Sequence, residues 1–167
     1  MSRLLGALQT VLEGDGWSCM AMDDGRLQTN CQGENGQWPC VAEAMDERGL
    51  LMFYSLLPVK VPADRQAAVA EFLTRANAIT LMGTLQMDYE TGEVSCRTSL
   101  DDGGQPIPPG TLRSLIYANI LMMDRYLPGL LELAYSSASP ADVFQKAEAD
   151  DDMGDDDDDD DDEVEAL

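Results

Sequence analysis

Histidine is absent from the 167 residues, and lysine occurs only as Lys60 and Lys146. The first absence removes the side chain most used for proton transfer near neutral pH, which is also the commonest metal ligand. Serine triads, Cys-His dyads and histidine-bearing zinc sites go with it. The second leaves 10 Lys and Arg against 32 Asp and Glu, so nucleic acid, whose phosphates need clustered bases, is not an expected partner. Cys-x-x-Cys pairs are missing too. Cys19, Cys31, Cys40 and Cys96 stand far apart and are expected as small buried thiols, neither disulfide-bonded nor metal-bound. No glycine-rich phosphate loop is present, because Gly14-Asp15-Gly16 and Gly103-Gly104 lack the lysine or helix-opening glycines that such loops use. The longest apolar stretch, Leu112 to Tyr135, is broken by Arg113, Asp124, Arg125 and Pro128 and is unsuited to crossing a bilayer. Met1 to Gly14 carries its apolar residues at helical spacing, unlike the unbroken run of a secretion signal, so a cytoplasmic protein is expected, with no membrane partner.

Acidic charge is plentiful and lies mostly at one end. The net charge is −22. From Glu148 onward there are 14 acidic residues and no basic one, leaving 18 acidic and 10 basic residues before it, a net of −8. A segment so charged and so poor in apolar residues cannot offset the entropy of folding. The chain therefore divides into one folded domain at 1–147 and a disordered acidic tail at 148–167. The domain is long enough to bury a core without disulfides or metal.

Within the domain, Leu4, Leu5, Leu8, Val11 and Leu12 mark one face of a helix. Trp17 to Met22 and Arg26 to Cys31 flank Asp23-Asp24-Gly25 and read as a hairpin, with Trp17, Cys19, Ala21, Leu27, Thr29 and Cys31 on its core face. A second hairpin joins Gln37 to Asp46 with Leu50 to Leu57. Its second strand is apolar throughout, which predicts burial on both faces, by a helix on one side and by a partner or a second helix on the other. Pro62 is placed to open a helix reaching Ile79. A third hairpin, Thr84 to Tyr89 and Val94 to Leu100, turns at Glu90-Thr91-Gly92. Thr111 is the expected cap of a long helix that Pro128 kinks or restarts. Ser139-Pro140-Ala141-Asp142 opens a last helix. Helices grouped against about six antiparallel strands make an α+β domain.

Candidates for chemistry are weak. Asp23 with Asp24, and Asp101 with Asp102, are turn residues whose side chains diverge into solvent. Asp88 to Gly92 lacks most ligands of a calcium loop. No cofactor is called for, and a small-molecule ligand is not expected. Eight methionines fall in predicted elements, namely Met20, Met22, Met45, Met52, Met82, Met87, Met122 and Met123. Their thioethers suit either a core or an adaptable binding surface.

Several residues together resemble the YbjN family. They are Val61-Pro62, Ala76-Asn77, Gly83-x-Leu85-x-Met87-Asp88, Thr91-Gly92-Glu93-Val94 with Arg97, and Asp124-x-Tyr126-x-Pro128. The resemblance implies the fold of type III secretion chaperones, in which helices pack on a strongly bent antiparallel sheet and dimers hold extended segments of client protein. It also implies a non-enzymatic bacterial sensory transduction regulator, with no catalytic residues to assign. Joined to the apolar strand, it makes Leu50, Met52, Tyr54 and Leu56, with Val69, Phe72 and Leu73 of the following helix, the expected dimer or client surface. Two other readings stand beside it. One is a small enzyme using carboxylates, tyrosine or cysteine, with or without a metal. The other is an acidic-tail decoy for basic proteins.

Overall fold

The computed structural model describes residues 2–152. The expected disorder of the tail therefore falls, for residues 153–167, outside the described residues. In chain order the elements are α1 (Arg3–Gly14), β1 (Met20–Ala21), β2 (Leu27–Gln32), β3 (Gln37–Met45), β4 (Leu50–Leu56), α2 (Gln66–Ile79), β5 (Thr84–Met87), β6 (Val94–Asp101), α3 (Pro109–Tyr135) and α4 (Pro140–Asp152). The strands form one antiparallel sheet in the order β1-β2-β3-β4-β6-β5. Helices α1 and α3 pack on one face of it, and α2 and α4 pack on α3. This is the α+β arrangement expected.

Each helix starts for a local reason. Ser2 caps α1 by accepting from the Leu5 amide. The same helix end is held from outside by Asp46, in the tight turn between β3 and β4, which accepts from the Ser2 hydroxyl at 2.7 Å and the Arg3 amide at 2.8 Å. Helix α2 begins at Gln66, four residues later than Pro62, because the Arg65 amide closes a turn on the Pro62 carbonyl first. Arg65 then reaches the Leu133 and Ala138 carbonyls, tying down the link between α3 and α4 with a cation at a helix C-terminus. Helix α3 opens with Pro109 at its first position and Thr111 inside its first turn, and it runs unbroken through Pro128.

That proline has a consequence two elements away. Lacking an N–H, Pro128 leaves the Asp124 carbonyl without its helical partner. The Asn35 side-chain amide donates to that carbonyl at 3.1 Å, while the Asp124 carboxylate accepts from the Glu34 and Asn35 amides at 3.0 and 2.9 Å. The turn between β2 and β3 is thereby fastened to α3. Glycine at 33 is required by this contact, since a Cβ there would stand 2.3 Å from the Asp124 carboxylate and 2.7 Å from the Trp38 ring.

Two strand expectations need correction. β1 is reduced to two residues, because the Thr29 hydroxyl takes the Ser18 carbonyl at 2.8 Å, where a ladder bond would otherwise form. Ala21, expected on the core face, is exposed at this edge, although Leu27, Thr29 and Cys31 are buried as expected. β4 does alternate: Leu51, Phe53 and Ser55 are fully buried beneath the helices, and Leu50, Met52, Tyr54 and Leu56 face the other way, half-buried. The strand is apolar on both sides, yet the described helices cover only one of them.

The inner face carries a row of small residues, Thr29, Cys40, Ser55 and Cys96, paired across four strands. Their small volume leaves room for Trp38, whose indole N–H donates to the Ser55 hydroxyl at 2.8 Å. Burial pushes the Cys31 thiol up to about 11 and those of Cys40 and Cys96 up to about 12, so these cysteines are inert core residues near neutral pH.

Three carboxylates that join residues distant in the chain are held below their usual range. The Ser2 hydroxyl holds Asp46 below the usual range, helped by the Arg3 and Leu4 amides. The Arg113 guanidinium does the same for Asp15, and Arg3 does so for Asp102. Because the folded values are depressed, the stability they contribute is complete above the unfolded carboxylate pKa of about 3.9 and is lost as pH falls below it. Asp46→Asn is expected to lower the melting temperature at pH 7 and to differ much less from the parent at pH 3. Equal deficits at both pH values would show that ionised Asp46 does not hold the helix end.

Candidate functional site

The outer sheet face is built by strand register. Tyr54 lies between Val41 and Arg97, Met52 between Glu43 and Ser99, Leu50 between Met45 and Asp101, and Leu56 beside Ser95. Directly paired residues point to the same side. The row through Tyr54 continues from Val41 to Gln28 and Met20. An apolar field of Val41, Leu50, Met52, Tyr54 and Leu56 therefore occupies the middle of the face, with Met20 and Met45 exposed at its margins and Arg97, Glu43 and Gln28 around it. Three of the eight methionines sit on this face, where an unbranched thioether can adapt to a partner. Two others, Met122 and Met123, are core residues of α3.

The seven residues expected as one surface separate into two groups. Leu50, Met52, Tyr54 and Leu56 share the outer face. Val69, Phe72 and Leu73 do not join them, because α2 turns these side chains inward, where all three are buried. Phe72 packs edge-on against Tyr126 at 5.7 Å and Phe144 at 6.1 Å, joining α2 to α3 and α4. Their helical spacing identified a buried face but could not say that the face was fully covered.

A second feature went unread in the sequence. A cleft of about 1090 Å³ lies between the β2–β3 turn, the link from α2 to β5, the outer side of α3, and α4. Ile79, Leu81, Met82, Tyr117 and Leu121 line it and are exposed. The available signal was the apolar excess of α3. Tyr117 and Leu121 form an i, i+4 pair off the stripe that faces the sheet, and a single covered face leaves them no role. α4 also continues past Glu148, where the sequence places the start of the tail. Glu148 accepts from the Tyr126 hydroxyl at 3.0 Å and pairs with Arg125 at 2.9 Å.

Burial pushes the Tyr126 hydroxyl up to about 12, with the Glu148 carboxylate adding to the rise. Among the described residues, no three His, Cys, Asp or Glu side chains gather as a metal-binding group, and no helix is long and apolar enough to cross a membrane.

Comparison with known proteins agrees with this architecture. YbjN from E. coli, in its crystal structure, is 16% identical and superposes with a TM-score of 0.57, covering 78% of this chain and 92% of that one. A chain of the HopA1-SchA chaperone-effector complex, also 16% identical, gives 0.50 over 75% of this chain and 93% of its own. The type III secretion chaperone-like fold is thus shared, at identities that speak for fold alone. No curated protein matches the sequence. A family model described as "Putative bacterial sensory transduction regulator" matches residues 5–132, and over that span, well beyond half of its length, the chain belongs to the YbjN family.

Proposed function

We propose that this protein is a cytoplasmic, chaperone-like binding or regulatory protein and not an enzyme, acting as a homodimer that holds a segment of a client protein. The observation that carries this reading is the apolar field of Leu50, Met52, Tyr54 and Leu56 on a sheet face that no described helix covers. A half-exposed apolar surface in the middle of a sheet, ringed by polar residues, is suited to a protein partner. Among homo-oligomers the twofold dimer is by far the commonest, which favours a second copy of this chain as one partner of the patch. Family membership supports a regulatory role, and the likeness to a chain of the HopA1-SchA chaperone-effector complex supports binding to protein.

The test is sedimentation of the full chain beside Met52→Asp combined with Tyr54→Asp. Both side chains are only half-buried, so the variant is expected to keep the parent's circular dichroism while shifting from dimer to monomer. Two buried aspartates facing two more across a twofold axis would cost several kcal/mol. A monomeric parent, or a variant that stays dimeric, overturns the assignment of this face.

A further inference from the structure

We propose that the cleft between α3 and α4 is a docking groove for a basic amphipathic helix of a partner protein. The proposal is independent of the sheet-face reading, since no residue of the outer row lines the cleft.

The lining is apolar and open to solvent. Leu81 is 99% exposed and Leu121 67%, with Ile79, Met82 and Tyr117 beside them. Both walls are fastened to α3. On one side Asp124 binds the backbone of Glu34 and Asn35, and on the other Glu148 binds Tyr126 and Arg125. The groove is therefore formed before anything enters it, which lowers the cost of binding. An amphipathic helix laid along such a groove would offer apolar side chains at i, i+3, i+4 and i+7.

Charge selects the partner. Glu34, Asp124, Glu132 and Asp150 line the groove against two bases, and both bases are already in ion pairs, Arg125 with Glu148 and Lys146 with Glu132. This lining repels an acidic segment and attracts lysines and arginines flanking an apolar stripe.

The test titrates the full chain with a fluorescein-labelled synthetic helix about 18 residues long, carrying leucines at i, i+3, i+4 and i+7 and lysines on its flanks. A scrambled peptide of equal charge and an acidic peptide with the same leucines serve as comparisons. Leu81→Asp combined with Leu121→Asp, at two exposed positions, is expected to weaken binding of the basic helix at least about tenfold. The sheet-face variant Met52→Asp with Tyr54→Asp should bind it as the parent does. The scrambled and acidic peptides should bind at least about tenfold more weakly than the basic helix. Unchanged affinity in the groove variant, or equal affinity for the scrambled peptide, would mean that the peptide meets acidic charge alone and would overturn the proposal. Equal affinity for the acidic peptide overturns it as well.

Discussion

Phe72→Ala is expected to remove about 3–5 kcal/mol of stability. The ring is 0% exposed and stands where three helices meet. Its edge contacts with Tyr126 and Phe144 each add roughly 0.5–1.5 kcal/mol beyond burial. The fit extends to Gly129, where a Cβ would come within 3.1 Å of the Phe72 ring. Helix α3 thus has no side chain at the point where α2 presses on it. Removing the ring leaves a cavity that backbone on one side and aromatic rings on the other cannot easily close. Domains of this kind are stable by about 5–15 kcal/mol, so the variant should unfold at much lower urea. A loss under about 1 kcal/mol would sink the view that this ring joins the helices. The same substitution separates packing from recognition. Phe72 was an expected surface residue, and its burial means that any binding defect in the variant should follow its unfolding curve.

The sequence disclosed helices and hairpins more readily than it disclosed which faces stay open. Leu4, Leu8 and Leu12 could only be one side of a helix, and Asp23-Asp24-Gly25 could only be a turn. Those elements rest on neighbours in the chain. The outer face of β4 rests on what the remaining sequence fails to cover, and that depends on where α1 and α3 finally lie. A run of eight residues with little polarity, Leu50 to Leu57, looks alike whether one side or both are covered. The cleft was hidden for a related reason. Its walls come from residues near 34, 81, 121 and 147, brought together only by the fold. Asp124-x-Tyr126-x-Pro128 shows the opposite case. Its residues were recognisable as a pattern, and each has a structural role in the fold. Asp124 and Pro128 hold the β2–β3 turn, and Tyr126 holds α2 and α4. None of these roles is catalytic.

A second large effect is expected at Asn119. This side chain is 0% exposed, halfway along α3, and its amide donates to the Phe53 and Cys96 carbonyls at 2.9 Å each. Thr98, on the neighbouring strand, donates to the Leu115 carbonyl of the same helix at 2.9 Å. Helix α3 is therefore bound to β4 and β6 by a polar strut inside an apolar core, and the strut sets the height of the helix over the sheet that presents Tyr54 and Met52 on its far side. Asn119→Leu keeps roughly the volume but removes both amide hydrogen bonds to these carbonyls, at a cost of about 1–3 kcal/mol. Part of that is offset, because the Asn119 side-chain oxygen has no hydrogen-bond partner. Asn119→Asp should be worse, since a carboxylate loses both donors and places a charge against carbonyl oxygens. Burial would raise the folded pKa of such a carboxyl above its unfolded value of about 3.9. The sign then runs opposite to that of Asp46: the deficit of Asn119→Asp relative to the parent should be smallest below pH 4 and should grow as pH rises. Urea unfolding of both variants and the parent at pH 4 and pH 7 measures this directly, and a deficit for Asn119→Asp that does not change with pH would show that position 119 is open to water.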